Sequence, residues 1–232
     1  MKKYSSVFEM IVRSSIYKVL FLLGIMVITE AVCFSLSMIS PSGVNIEEYI
    51  NQSLFSTIFQ IAYLLVTAVL VFYGMNMGSM QSYTLQRLRI REKNIFWLQA
   101  LYNALAYVLL WGVQLVMILI SASVYYKNLP EGHIHTNQTL FIAFYRSEFM
   151  HSILPLEDAP GWWVLILILV SSAFTTAVFT KLQRIGKFGF ELFILVGAVL
   201  VSFPRAVGEE FVFLVIAIVT VGVVMGMRKL LE

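Results

Sequence analysis

One acidic residue lies inside the first apolar run of the chain, where a side chain that can carry charge is unusual. Glu30 falls well within residues 17–39, and an ionised carboxylate in the middle of a membrane-spanning helix costs a few kcal/mol or more. We therefore expect Glu30 to be protonated, paired or turned toward a polar cavity. Gln60 and Gln114, in the next two apolar runs, are candidate partners. Two roles stay open: a substrate or proton path along Glu30, Gln60 and Gln114, or a structural hydrogen bond between helices.

The other reactive residue types do not form a recognisable catalytic or metal site. His133 and His135 have a spacing that can chelate zinc, but only with further ligands supplied by the fold, so we expect no metal site. An intramembrane protease would need paired acids, a serine with a histidine, or a histidine–glutamate metal box within its spans. Glu209 and Glu210 are adjacent acids without a histidine inside any apolar run. We predict no catalytic residues and no enzymatic activity.

A short basic segment, residues 79–94, follows the second apolar run. Arg87, Arg89, Arg91 and Lys93 place four positive charges within seven residues. If the segment is helical, Leu85, Leu88 and Glu92 fall on one arc, with arginines at its borders. A nucleic-acid site would need interleaved aromatic residues and a wider basic surface. We therefore expect no nucleic-acid partner and predict an amphipathic surface.

Composition places the chain in a membrane. Of its 232 residues, 59% are hydrophobic and 12% charged, and the mean hydropathy is +0.85. Soluble domains carry about 25% charged residues. The chain is long enough for several membrane helices of about 20 residues each, and no long polar stretch remains for a separate soluble domain.

The apolar runs predict an all-α fold with six transmembrane helices. Continuous runs of this length exclude the alternating pattern of a membrane barrel. An interfacial helix, 4–15, is expected before the first span, because basic and apolar residues alternate there. A long external segment, 127–160, separates the third and fourth spans. The six predicted spans cover about residues 17–39, 54–76, 95–123, 161–180, 188–203 and 210–227.

The distribution of Lys and Arg predicts the orientation of these spans. With six spans, 13 of the 16 basic residues fall on one side, and Lys127, Arg146 and Arg205 fall on the other. Cytoplasmic loops carry the excess of positive charge. Both termini and the segment 79–94 are therefore expected in the cytoplasm.

An interfacial helix, six spans and a charged helix between the second and third spans together resemble the membrane subunit of a type V bacterial ABC exporter. The sequence SYTLQRLRIREKNIFWLQALYNALAYVLLW, residues 82–111, is similar to the loop and third helix of such permeases. The resemblance implies a multi-pass protein of the bacterial plasma membrane, in contact with lipid and paired with a second permease subunit as a homodimer or heterodimer. It also implies that segment 79–94 is a coupling helix seated on a separate ATPase subunit. The contact residues implied there are Gln86, Arg87, Arg89, Arg91, Glu92 and Lys93.

Nucleotide binding is expected on that partner and not on this chain. Gly186 and Lys187 occur without the rest of a phosphate-binding loop, so the chain cannot cradle a nucleotide itself. The resemblance implies that ATP and Mg²⁺ are bound by the ATPase subunit. The substrate is expected to be hydrophobic or amphipathic, with a peptide antibiotic, a lipid and a drug left open. The alternative functions are a substrate-capturing subunit of a small-molecule importer and an intramembrane enzyme.

Overall fold

The described part of the chain is entirely helical apart from short turns. The computed structural model describes residues 2–39, 46–76, 92–128, 137–156 and 159–184, together with 192–193 and 196–197. These ranges contain seven α-helices with defined bounds. The helices are α1 (Lys2–Ile39), α2 (Ile46–Gln52), α3 (Phe55–Asn76), α4 (Glu92–Lys127), α5 (Asn137–Arg146), α6 (Glu148–Ile153) and α7 (Ala159–Arg184).

Four of these helices, α1, α3, α4 and α7, are long and apolar enough to cross a membrane. They correspond to the first four predicted spans, so the all-α, multi-pass character of the chain is confirmed in the described residues. The predicted fifth and sixth spans, 188–203 and 210–227, lie outside the described residues except for the four at 192–193 and 196–197.

The first helix joins the predicted interfacial helix and the predicted first span without a break. No proline or glycine occurs between Lys2 and Leu23, so nothing in that stretch interrupts helical hydrogen bonding. One stripe of the helix is buried at a spacing of three or four residues, as a helix packed on one side requires. This stripe consists of Val7, Ile11, Ser15, Val19, Leu23, Met26, Glu30 and Phe34.

Both α1 and α4 are longer than a bilayer requires. They contain 38 and 36 residues, which at 1.5 Å per residue is about 57 Å and about 54 Å. The hydrocarbon core of a bilayer is about 30 Å thick. Both helices are therefore longer than an upright crossing of the hydrocarbon core needs. The two helices pack on each other near their beginnings, where the Ser15 hydroxyl donates to the Tyr102 hydroxyl at 2.8 Å.

Three short helices form a cap at the opposite end of the bundle, and we call α2, α5 and α6 the helical cap. The hydroxyls of Ser37 in α1 and Ser53 after α2 lie 2.9 Å apart. Phe59 of α3 and Phe149 of α6 pack with ring centroids 6.2 Å apart. Most of the predicted external segment, 127–160, is thus folded onto the bundle, either in the cap or in the turns that flank it.

The indole of one α4 residue fixes α6 against the bundle. The Nε1–H of Trp111 donates to the backbone carbonyl of Ile153 at 2.8 Å. The Ser147 hydroxyl caps the start of α6 by accepting a hydrogen bond from the Met150 amide at 3.3 Å. A cap built from such short helices needs these contacts, because isolated helices of this length are marginal in water.

A glycine marks the closest approach of α3 to the other long helices. A Cβ added at Gly74 would lie 2.7 Å from the Thr180 Cγ2 of α7, and it would also collide with the Gln99 amide of α4. Membrane helices pack through small residues, because they allow two backbones to come close together. Gly74 therefore leaves room for the side chains of Gln99 and Thr180 beside α3.

We expect Gly74→Ala to destabilise the bundle by about 1–3 kcal/mol, the usual cost of an overpacked interior. Thermal unfolding of the purified protein in detergent, followed by size-exclusion chromatography, measures the effect. Gly112→Ala is the matched control, because an added Cβ there meets no atom within 4 Å and alanine favours a helix over glycine by about 1 kcal/mol. Equal stability of the two variants would contradict the role given to Gly74.

Candidate functional site: a polar seam inside the helix bundle

Polar side chains follow the buried face of α4. Gln99, Asn103, Tyr107 and Gln114 are all buried, and their spacing of four, four and seven residues keeps them on one side of a helix. This side faces α1, α3 and α7. We call the line from Gln99 to Gln114, with its partners on those helices, the polar seam.

The middle of the polar seam is a hydroxyl network that connects three helices. The Tyr107 hydroxyl lies 2.8 Å from Thr67 Oγ1 of α3 and 3.0 Å from Thr176 Oγ1 of α7. The Tyr63 hydroxyl donates to Ser172 Oγ at 2.7 Å. A bilayer supplies no water to these groups, so each must find its partners within the protein. The network therefore determines how α3, α4 and α7 sit against one another.

Two ring systems reinforce the network. The rings of Tyr63 and Tyr107 lie 5.3 Å apart between centroids and are tilted by 31°, a distance at which aromatic pairs attract. The same two side chains thus contribute both packing and hydrogen bonding at one level of the bundle.

The polar seam continues toward the beginning of α4 through two amide side chains. The Gln99 Nε2 donates to Thr180 Oγ1 at 3.0 Å, and the Asn103 Nδ2 donates to the Ala173 carbonyl at 3.4 Å. Both bonds join α4 to α7. From Gln99 to Tyr107 the side chains of the seam are all hydrogen-bonded, so this part can serve as a stable joint between helices.

The other end of the seam differs, because the side chains of Glu30 and Gln114 form no well-formed hydrogen bond there. Glu30 of α1 and Gln114 of α4 are both 0% exposed, and the Gln114 amide lies beside the Glu30 carboxyl. Yet both carboxyl oxygens of Glu30 and both amide atoms of Gln114 lack a hydrogen-bond partner among the described residues. Gln114 lies seven residues, or about 10 Å along the helix, beyond Tyr107.

The structure therefore brings together two of the three residues predicted for a substrate path. Gln60 is half-buried on α3 and does not hydrogen-bond to Glu30. The role of these three residues in transport stays a prediction.

The predicted coupling residues are placed only in part. Gln86, Arg87, Arg89 and Arg91 lie outside the described residues. Glu92 and Lys93 form the first turn of α4, and the Lys93 side chain is exposed. The coupling role of all six residues stays a prediction.

The hydroxyl network was not predicted from the sequence. Its signal is a repeated spacing of four residues on three helices: Tyr63 and Thr67, then Gln99, Asn103 and Tyr107, then Ser172, Thr176 and Thr180. A serine or threonine in a membrane helix also hydrogen-bonds its own backbone, as Thr176 does to the Ser172 carbonyl at 2.6 Å. The spacing therefore indicates a shared face without indicating which helices meet there.

Comparison with protein-family models, with curated proteins and with solved structures finds no match to this chain. What is established is a helical protein with four candidate membrane spans in its described residues.

We expect Tyr107→Phe to destabilise the bundle, because it leaves Thr67 and Thr176 without their shared partner. Side-chain hydrogen bonds in membrane proteins contribute about 0.6 kcal/mol on average and up to about 1.7 kcal/mol. Thermal unfolding in detergent measures the loss. Tyr17→Phe is the control, since that ring is 74% exposed. A Tyr107 variant as stable as the Tyr17 variant would show that the hydroxyl does not hold the three helices together.

Proposed function

We propose that this chain is the membrane subunit of an ATP-driven ABC exporter, in which a separate ATPase moves the helices through the segment 79–94. The observation that carries the proposal is the continuity of α4. The helix runs without a break from Glu92, which lies within the predicted coupling segment 79–94, to Lys127 at the helical cap. A displacement at its exposed beginning is therefore carried along one rigid element.

The same helix carries the polar seam. Gln99, the first seam residue, lies seven positions after Glu92, or about 10 Å along the helix. A tilt or rotation of α4 would change the hydrogen bonds to α3 and α7 and would move Gln114 relative to Glu30. These contacts give α4 a means of linking a cytoplasmic partner to the interior of the bundle.

The helical cap supports a transport role at the opposite end. It covers the end of the bundle where α1 ends and α3 begins, and it is attached to α4 through Trp111. Movement of α4 would therefore reach the cap as well as the seam. This provides for a path that opens on alternate sides of the membrane, with Glu30, Gln60 and Gln114 lining it.

The exporter takes a hydrophobic or amphipathic substrate, with peptide antibiotics, lipids and drugs as the classes to test. ATP and Mg²⁺ bind the partner ATPase, and a second permease subunit completes the path in the bacterial plasma membrane. The exposed apolar face of α1 is suited to lipid or to that second subunit. This face includes Tyr17, Phe21, Ile28, Val32 and Leu36.

Replacing Arg87, Arg89 and Arg91 together with Gln tests the coupling segment. We expect the wild-type chain, purified in mild detergent from its own cells, to carry an ATPase activity that the triple variant loses. The physical reason is that the arginine side chains would bind a polar groove on the partner. Mass spectrometry identifies the ATPase chain, and ATP hydrolysis of the purified complex gives the readout.

The matched control replaces Lys2 and Lys3 with Gln, which removes positive charge from the same predicted side of the membrane and leaves the segment intact. It also tests whether a loss of basic residues alters the orientation of the helices. A wild-type chain that purifies without an ATPase, or a triple variant that retains full ATPase activity, would contradict the exporter proposal.

A further inference from the structure

The Glu30–Gln114 pair has four buried polar atoms without a well-formed hydrogen bond among the described residues, although the Gln114 amide lies close enough to the Glu30 carboxyl to act on it. Native proteins pair the large majority of buried polar side-chain atoms, so each exception needs an explanation. Elsewhere in the polar seam, the hydroxyl network and the amides of Gln99 and Asn103 are bonded. The lack of bonds is therefore specific to this end of the seam, and it indicates a ligand that belongs between the two side chains.

The donor set excludes most positively charged ligands. The pair offers three oxygens and one amide nitrogen, whereas calcium takes six to eight oxygen ligands and magnesium takes six. A bulky organic cation would need open space, but both side chains are 0% exposed. No charged side chain of the described helices interacts with the Glu30 carboxyl. A proton needs one oxygen and no extra volume.

The chemistry of the two groups fits a proton. A protonated carboxyl has one O–H donor and a carbonyl acceptor, and a glutamine amide has two N–H donors and one acceptor oxygen. The two can form a closed pair, in which Glu30 donates its O–H to Gln114 Oε1 and accepts an N–H from Gln114 Nε2. An ionised Glu30 would instead set its charge beside an amide oxygen in a region without water.

We propose that Glu30 and Gln114 form a proton-binding site that holds α1 and α4 together when occupied and releases them when empty. In the binding step, an O–H bond forms at Glu30, the proton comes from water at an opened end of the bundle, and the negative charge is removed. In the release step the proton returns to water, and the ionised carboxyl draws water between α1 and α4. As a gate for the substrate this role rests on the proposed exporter function, but proton binding itself is a property of this chain.

Other titratable groups on the helices packed against α1 do not substitute for this pair. None of them interacts with the Glu30 carboxyl. The hydroxyls of Tyr63 and Tyr107 are engaged with Ser172, Thr67 and Thr176. The groups concerned are Glu47, Glu48 and Tyr49 on α2, Tyr63 and Tyr73 on α3, and Glu92, Lys93, Tyr102, Tyr107, Tyr125, Tyr126 and Lys127 on α4.

The single cysteine of the chain reports whether the two helices separate. Cys33 lies three residues after Glu30 and is half-buried. The rate of its reaction with N-ethylmaleimide in the detergent-purified protein, measured from pH 6 to pH 9, gives its accessibility. The Cys33 thiol itself ionises over this range, which changes its reaction rate in any variant. The rate measured in wild type is therefore divided by the rate measured in Glu30→Gln at the same pH, so that the effect of thiol ionisation cancels. The amide of that variant resembles the protonated acid and cannot ionise.

We expect this ratio to rise with pH, by as much as about tenfold per pH unit while the closed pair still holds its proton, and to level off once Glu30 is ionised in both positions. Glu47→Gln is the matched control, because it removes an acid of the helical cap and leaves the pair intact; its ratio to Glu30→Gln should follow that of wild type. A ratio that stays constant from pH 6 to pH 9 would overturn the proposal.

Infrared spectroscopy provides a second measurement that does not require the Gln variant to fold. Wild type and Glu47→Gln should both show a protonated carboxylic acid at pH 7, where ordinary Asp and Glu side chains are ionised. A wild-type protein whose spectrum lacks the carbonyl band of a protonated carboxylic acid at pH 7 would overturn the proposal. Because neither measurement includes an ATPase, a failure here leaves the exporter proposal standing, and a failure to purify an ATPase leaves the proton site standing.

Discussion

The lack of water inside a bilayer is the constraint on which the rest of this structure depends. Every polar side chain that enters the bundle must find its partner on a neighbouring helix. Tyr107 meets this requirement through Thr67 and Thr176, and in doing so it joins α3, α4 and α7 at one level. The helix that carries Tyr107 therefore packs against each of the other three described spans.

The length of α4, compared with the thickness of a membrane, determines how this helix can move. With 38 and 36 residues, α1 and α4 together exceed by more than twenty residues the two lengths of about 20 residues that the hydrocarbon core holds. A short span can change its tilt with little effect outside the membrane. A long helix that is anchored by the polar seam near its centre cannot move at one end without moving at the other.

Structural features that depend on a single residue or on a continuous apolar run can be predicted from the sequence. The long apolar runs predicted the four described spans, because membrane thickness sets the length of an apolar helix. Glu30 and Gln114 were singled out because each is polar within an apolar run. Their contact, and the network around Tyr107, depend on the rotation of one helix relative to another, which periodicity alone does not specify. The short helices of the cap likewise depend on tertiary contacts such as Trp111 to Ile153.

The two ends of the polar seam differ in what a helix movement would cost. At Tyr107, separation of the helices breaks hydrogen bonds and exposes hydroxyls to an apolar surrounding, so the joint resists movement. At Glu30 and Gln114 no hydrogen bond has a well-formed geometry, and the cost of separating the helices depends on whether the carboxyl is neutral and paired with the amide or is charged. The helices are held together at Tyr107 and can separate at Gln114, about 10 Å further along α4. The bundle can therefore pivot at the level of Tyr107. The charge of a single carboxyl then favours one of two positions of α1 against α4, because an ionised acid requires water and a neutral acid requires its amide partner.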